Sequence, residues 1–88
     1  MNETAFRQQL DQDGFGEPRT VFWNPNNVNP DHTHDFTARG LILSGGFALG
    51  CNGGKTAYNP GDVFELEAGT PHTETTGPDG ASILVGRK

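Results

Sequence analysis

The segment Asp31-His32-Thr33-His34-Asp35-Phe36 decides how this chain is read. In an extended backbone successive side chains alternate between faces. His32, His34 and Phe36 then share one face, while Thr33, Asp35 and Thr37 share the other. The remaining histidine, His72, stands far along the chain within Gly69-Thr70-Pro71-His72. All three histidines of the chain fall in these two short segments. A closed sheet can bring them together, and three neutral imidazoles in one cavity are a donor set for a transition metal.

Outward from that segment the pattern is β. Arg19–Trp23 reads as a strand, Asn24–Asn27 as a turn, and Asp31–Phe36 as the strand bearing the first two histidines. Leu41–Leu43 is followed by a break at Ser44-Gly45-Gly46, then by a strand over Phe47–Cys51. Asn52-Gly53-Gly54 is a hairpin signal, and Lys55–Tyr58 is the return strand. Asn59-Pro60-Gly61 turns again before a strand over Asp62–Glu67. Ala68–Pro71 is a tight turn that delivers His72 at the start of the next strand. Thr76–Gly80 reads as a loop, and Ser82–Val85 as a closing apolar strand. The total is about eight short strands, at spacings suited to a sandwich or barrel. Before them, Asn2–Asp11 reads as a short helix with Asn2 as N-cap and with Phe6 and Leu10 on one face. Phe6, Leu10 and Phe15 are expected to plug an open end of the sheet structure.

The chain has 88 residues, which fit one domain over 1–88: a helix and lead-in over 1–16, then β-structure over about 19–86. A core this small is marginal alone, so a dimer interface or a metal is expected to support it. The formal net charge is −5 and no stretch is basic, which argues against nucleic acid and acidic membranes as partners. Cys51 is the single cysteine, so no internal disulfide forms, and a cytoplasmic location is expected. No apolar run reaches membrane-spanning length.

The two histidine segments resemble the paired motifs of the cupin superfamily, small β-barrels of the jelly-roll type that include the RmlC-like proteins. The first motif, G-x5-H-x-H-x3,4-E-x6-G, is matched in spacing by His32, His34, Ala38 and Gly45. The second, G-x5-P-x-G-x2-H-x3-N, is matched by Gly61, Glu67, Gly69, His72 and Thr76. The resemblance covers roughly residues 28–86. It implies an all-β barrel with a short N-terminal helix, a homodimer, and one divalent transition metal (Fe, Zn, Mn, Ni or Cu) held by His32, His34 and His72. Three positions depart from the pattern: Ala38 replaces the usual glutamate ligand, Glu67 the proline and Thr76 the asparagine. Ala38 has the parity of the histidines, so a methyl group faces the site where a carboxylate is usual.

Three neutral imidazoles leave a divalent ion its full charge and open coordination positions, which favours a site that handles water or ligand. Glu74 shares the face of His72. It is either a fourth ligand or proton carrier, and so the one candidate catalytic group, or simply a rim carboxylate in water. Asp35 is expected to point away from the histidines. Cys51 reads as a small semi-buried residue. Trp23, Phe36, Phe47, Tyr58 and Phe64 are core aromatics, some of which line a pocket. The expected function is metal-assisted chemistry on a small polar molecule, with dioxygenase-type oxidation the commonest precedent among three-histidine relatives. The alternative is a cupin that binds or senses a small ligand, with or without metal.

Overall fold

A computed structural model describes residues 1–88. Helix α1 (Glu3–Gln12) is followed by six strands: β1 (Arg19–Trp23), β2 (Val28–His32), β3 (Ala38–Cys51), β4 (Gly54–Tyr58), β5 (Val63–Leu66) and β6 (His72–Arg87). No helix is long and apolar enough to cross a membrane.

Six strands replace the expected eight because β3 and β6 are continuous through segments that the sequence marks as breaks. They pair with each other antiparallel along nearly their whole lengths, from Ala38↔Arg87 to Gly50↔Thr73. Register shifts between Ile42 and Ser44 and between Gly45 and Phe47 bend the pair without ending it. Gly45 sits at the bend with φ 81°, and a Cβ there would lie 2.0 Å from the Gly80 carbonyl oxygen. Glycine is therefore required by conformation and by space. The Ser44–Gly46 break of the sequence reading is thus corrected, since Ser44 and Gly45 pair with Ser82 and Ala81; of the expected Thr76–Gly80 loop, Thr76 pairs with Phe47 while residues 77–80 bulge out between the paired segments of β6.

The bend gives each long strand two halves. β1 and β5 flank the half containing Ala38–Leu41 and Ala81–Val85, while β2 and β4 flank the other. Ile42, Phe47, Leu49, Phe64, Leu66, Ala81 and Ile83 form one buried cluster drawn from both halves, with Trp23, Cys51, Tyr58 and Val85 packed against it. The Asn52-Gly53 hairpin forms as expected, with φ 51° and 79° at the two residues.

Helix α1 begins at Asn2, whose side chain accepts a hydrogen bond from Ala5 N. Its buried face does not plug a barrel end. Phe6, Leu10 and Phe15 pack with Leu41 and Leu84, neighbours in sequence of the inward-facing Ile42 and Ile83. Alternation along a strand puts them on the opposite, outer face of the sheet. Arg39 secures the arrangement, bonded to both Asp13 at the helix end and Glu65 on β5, with its guanidinium over the Phe15 ring.

Candidate metal centre

His72 opens β6 directly after the turn that Pro71 stiffens, and His32 closes β2; the two are paired across the strands. β2 carries a bulge between Asn29 and His32. Residues three apart on a regular strand face opposite ways, yet Asn29 and His32 both line the same cavity, and the extra residue makes this possible. Pro30 lies within the bulge, where it lacks an N–H but offers its carbonyl to His32 Nδ1 at 2.7 Å. β2 runs over Val28–His32, so the expected strand over Asp31–Phe36 is displaced: only Asp31 and His32 of that stretch lie in it. Even so, His32, His34, Phe36 and Ala38 all line the cavity, and Asp35 is exposed. The His34 carbonyl accepts from Gly69 N at 2.8 Å, which ties this irregular segment to the turn before His72.

The three imidazoles meet. Their ring centroids lie 5.0 Å (His32–His34), 4.4 Å (His32–His72) and 4.8 Å (His34–His72) apart. Glu74 completes the group, and one donor atom from each of the four residues lies within 4.8 Å of the others, a spacing that can accommodate a metal ion. Glu74 is not a rim carboxylate: only 7% of it is exposed. Its Oε1 lies 3.0 Å from His32 Nε2 and accepts from Asn29 Nδ2 at 3.2 Å. Asn29 Oδ1 in turn accepts from Asn27 Nδ2.

The donor set fits a cation. His72 Nδ1 lies 2.9 Å from the Thr70 carbonyl oxygen, which can only accept, so Nδ1 carries the proton. Nε2 is left with a lone pair. It is buried with no hydrogen-bond partner, and the nearer Glu74 oxygen stands 3.7 Å away, beyond hydrogen-bond range. An unsatisfied buried acceptor is costly, and a cation satisfies it. His34 stacks on Phe36 at 4.8 Å, with the planes within 5°. Burial holds the His34 pKa below the ordinary imidazole value, the neighbouring His72 lowers it further, and Glu74 partly offsets both. A neutral imidazole is the form that binds metal.

The site opens into a cavity of about 220 Å³. Its walls include Trp23, Phe36, Phe47 and Phe64, while Tyr58 stands behind Phe64 with centroids 5.8 Å apart. Ala38 lies on this wall, 5% exposed. Thr76, at the position of the motif's asparagine, donates to the Asn24 carbonyl at 2.6 Å and accepts from Asn27 N at 2.8 Å. It ties β6 to the turn before β2.

The family profile described as Cupin domain matches residues 19–85. The chain is a member of the cupin family. KdgF from a Halomonas species is 26% identical, with a TM-score of 0.65 over 77% of this chain and 64% of its own. An RmlC-like cupin from Shewanella frigidimarina is 16% identical, with a TM-score of 0.67 over 77% of this chain and 60% of its own. This cupin therefore spans less than two thirds of the length of either. A Rhizobium leguminosarum protein of unknown function is 14% identical, with a TM-score of 0.71 over 99% of this chain and 94% of its own. The last two likenesses speak to the fold, a jelly-roll barrel. No curated protein matches the chain.

Within this cupin the carboxylate beside the histidines does not come from the first motif's position. The first motif's glutamate position is Ala38 on β3, and Glu74 on β6 reaches the cluster instead. The parity of His72 and Glu74 was the available signal. Burial, which decides between site and rim, was not legible.

Proposed function

We propose that this cupin binds one divalent transition metal through His32, His34 and His72, with Glu74 as fourth ligand. The supporting observation is the buried, unpartnered Nε2 of His72, whose tautomer the Thr70 carbonyl fixes for metal binding. Three nitrogens and one carboxylate oxygen suit Zn²⁺, Fe²⁺, Mn²⁺, Ni²⁺ or Cu²⁺. An ion held there supplies a Lewis acid, with redox capacity if it is iron, manganese or copper. The chain's own contribution is to orient the donors through Pro30, Thr70 and Asn29. The aromatic walls limit water and seat the apolar part of a small molecule beside the ion.

The reading is of metal-assisted chemistry on a small polar molecule, with oxidation by dioxygen as the leading class. Glu74 is the single carboxylate on the cavity wall. If it binds the ion, no free acid or base remains there, which favours the second reading: a cupin that holds a small ligand and turns nothing over. Elemental analysis of the untagged protein beside a His34→Ala variant tests the site. Near-stoichiometric metal lost in the variant supports it, and equal metal in both contradicts it. Oxygen consumption by the iron-loaded protein with candidate substrates then separates the two readings.

A further inference from the structure

Arg87 is the one cationic side chain on the wall of the metal-site cavity. It lies at the end of β6 with its guanidinium carbon 4.4 Å from the centre of the Phe36 ring. The same ring stacks on His34, and His34, Phe36 and Arg87 all line one cavity, with Arg87 at its exposed rim. The other arginine of comparable setting, Arg39, is held by Asp13 and Glu65. Arg87 has no ion-pair partner. Stacking fixes the plane of its guanidinium and leaves the edge donors free.

Charge completes the argument, which rests on the metal reading above. A divalent ion with three neutral imidazoles and one carboxylate keeps one positive charge, and Arg87 adds a second. The cavity wall also includes Val21, Trp23, Phe47 and Ile83, while Arg87 itself is exposed at the rim, so its attraction for an anion is partly screened by salt. A cavity of about 220 Å³ has room for about seven to eleven non-hydrogen atoms at roughly 20 to 30 Å³ each. We infer that the ligand of this cupin is a small carboxylate with an apolar body, and that Arg87 is the residue that selects it. The guanidinium edge offers the paired donors that a carboxylate accepts, which a neutral amide or alcohol of the same shape does not match.

The test is calorimetric titration of the cobalt(II)-loaded protein with two matched pairs, benzoate against benzamide and pivalate against pivalamide. Wild type, Arg87→Gln and Arg87→Lys are compared, with metal content and melting temperature measured for each. The expected result is that at least one carboxylate binds wild type at least tenfold more tightly than its amide. Arg87→Gln removes that preference at unchanged metal content, Arg87→Lys retains part of it, and added salt weakens it. Equal affinity for acid and amide in wild type, or a preference unaltered in Arg87→Gln, overturns the assignment. If cobalt does not load, the metal reading fails on its own. The same titrations on the metal-free protein then decide the role of Arg87, with a carboxylate preference lost in Arg87→Gln supporting it and no preference overturning it.

Discussion

Glu74 Oε1 lies 3.0 Å from Nε2 of His32, although the two residues come from different strands and one lies beyond a bulge. Nδ1 of His32 already donates to the Pro30 carbonyl. Nε2 is therefore the His32 nitrogen left to face a metal, with the Glu74 carboxylate beside it as a second donor.

His34 supplies a pH dependence. Its folded pKa is lowered, first by burial, then by His72. The unfolded chain, with an imidazole pKa of about 6.5, binds more protons than the folded chain just below that value. Stability of the metal-free protein contributed by this group is thus present above about pH 6.5 and is lost as pH falls toward the lower folded value. Thermal melts of wild type and His34→Gln at pH 7.5 and 5.5 should show the larger acid-induced fall in wild type. Parallel falls in both would remove His34 as the cause.

Asn29 touches the metal cluster through Glu74. Its amide holds Oε1 and leaves Oε2 toward His72. Asn29→Ala is expected to weaken zinc binding by about tenfold, the usual scale for removing a partner of a metal ligand. Glu74→Gln should weaken it by at least as much. A competition titration with a chromophoric chelator reads both, and an unchanged affinity in Glu74→Gln would limit the site to its three histidines.

The bend of β3 and β6 rests on Gly45. Alanine there meets both a positive φ and the Gly80 carbonyl, whereas a Cβ at Gly53, also at positive φ, meets nothing within 4 Å. Gly53→Ala is expected to cost about 1–2 kcal/mol, from conformation alone. Gly45→Ala should cost more, about 3 kcal/mol or above, because backbone must also move. Urea melts of the two variants give the comparison, and equal losses would refute the steric part.

Leu10 is 1% exposed and rests against the outer face of the sheet, with Gly86 beneath it. Leu10→Ala should destabilise by about 2–5 kcal/mol. Because this face is opposite the cavity, zinc affinity of the folded variant should be unchanged. A selective loss of affinity would mean that the helix does close the site.

Strand identity and the convergence of the histidines were legible because alternation and turn chemistry are local properties. His32, His34, Phe36 and Ala38 line one cavity as their parity implied, even though the strand stops at His32. What escaped was non-local. Ser44-Gly45-Gly46 and Thr76–Gly80 look like breaks one segment at a time. Pairing between β3 and β6 on either side carries both strands through these segments, although residues 77–80 have no partner on β3. The bulge after Asn29 also left no local mark, since Pro30 suits a turn as well as an edge strand. Glu74 joins the cluster as its parity implied, but its burial arises only in the assembled sheet, where it pairs with Asn29 of β2.

The central claim is that one ion bridges residues from β2, the segment after it, and β6. Anomalous diffraction at the zinc edge from zinc-soaked crystals tests it directly. A single strong peak is expected about 2.0–2.1 Å from a nitrogen of each of His32, His34 and His72, with a Glu74 oxygen at or next to it. No peak among these side chains, or a peak elsewhere in the barrel, would contradict it.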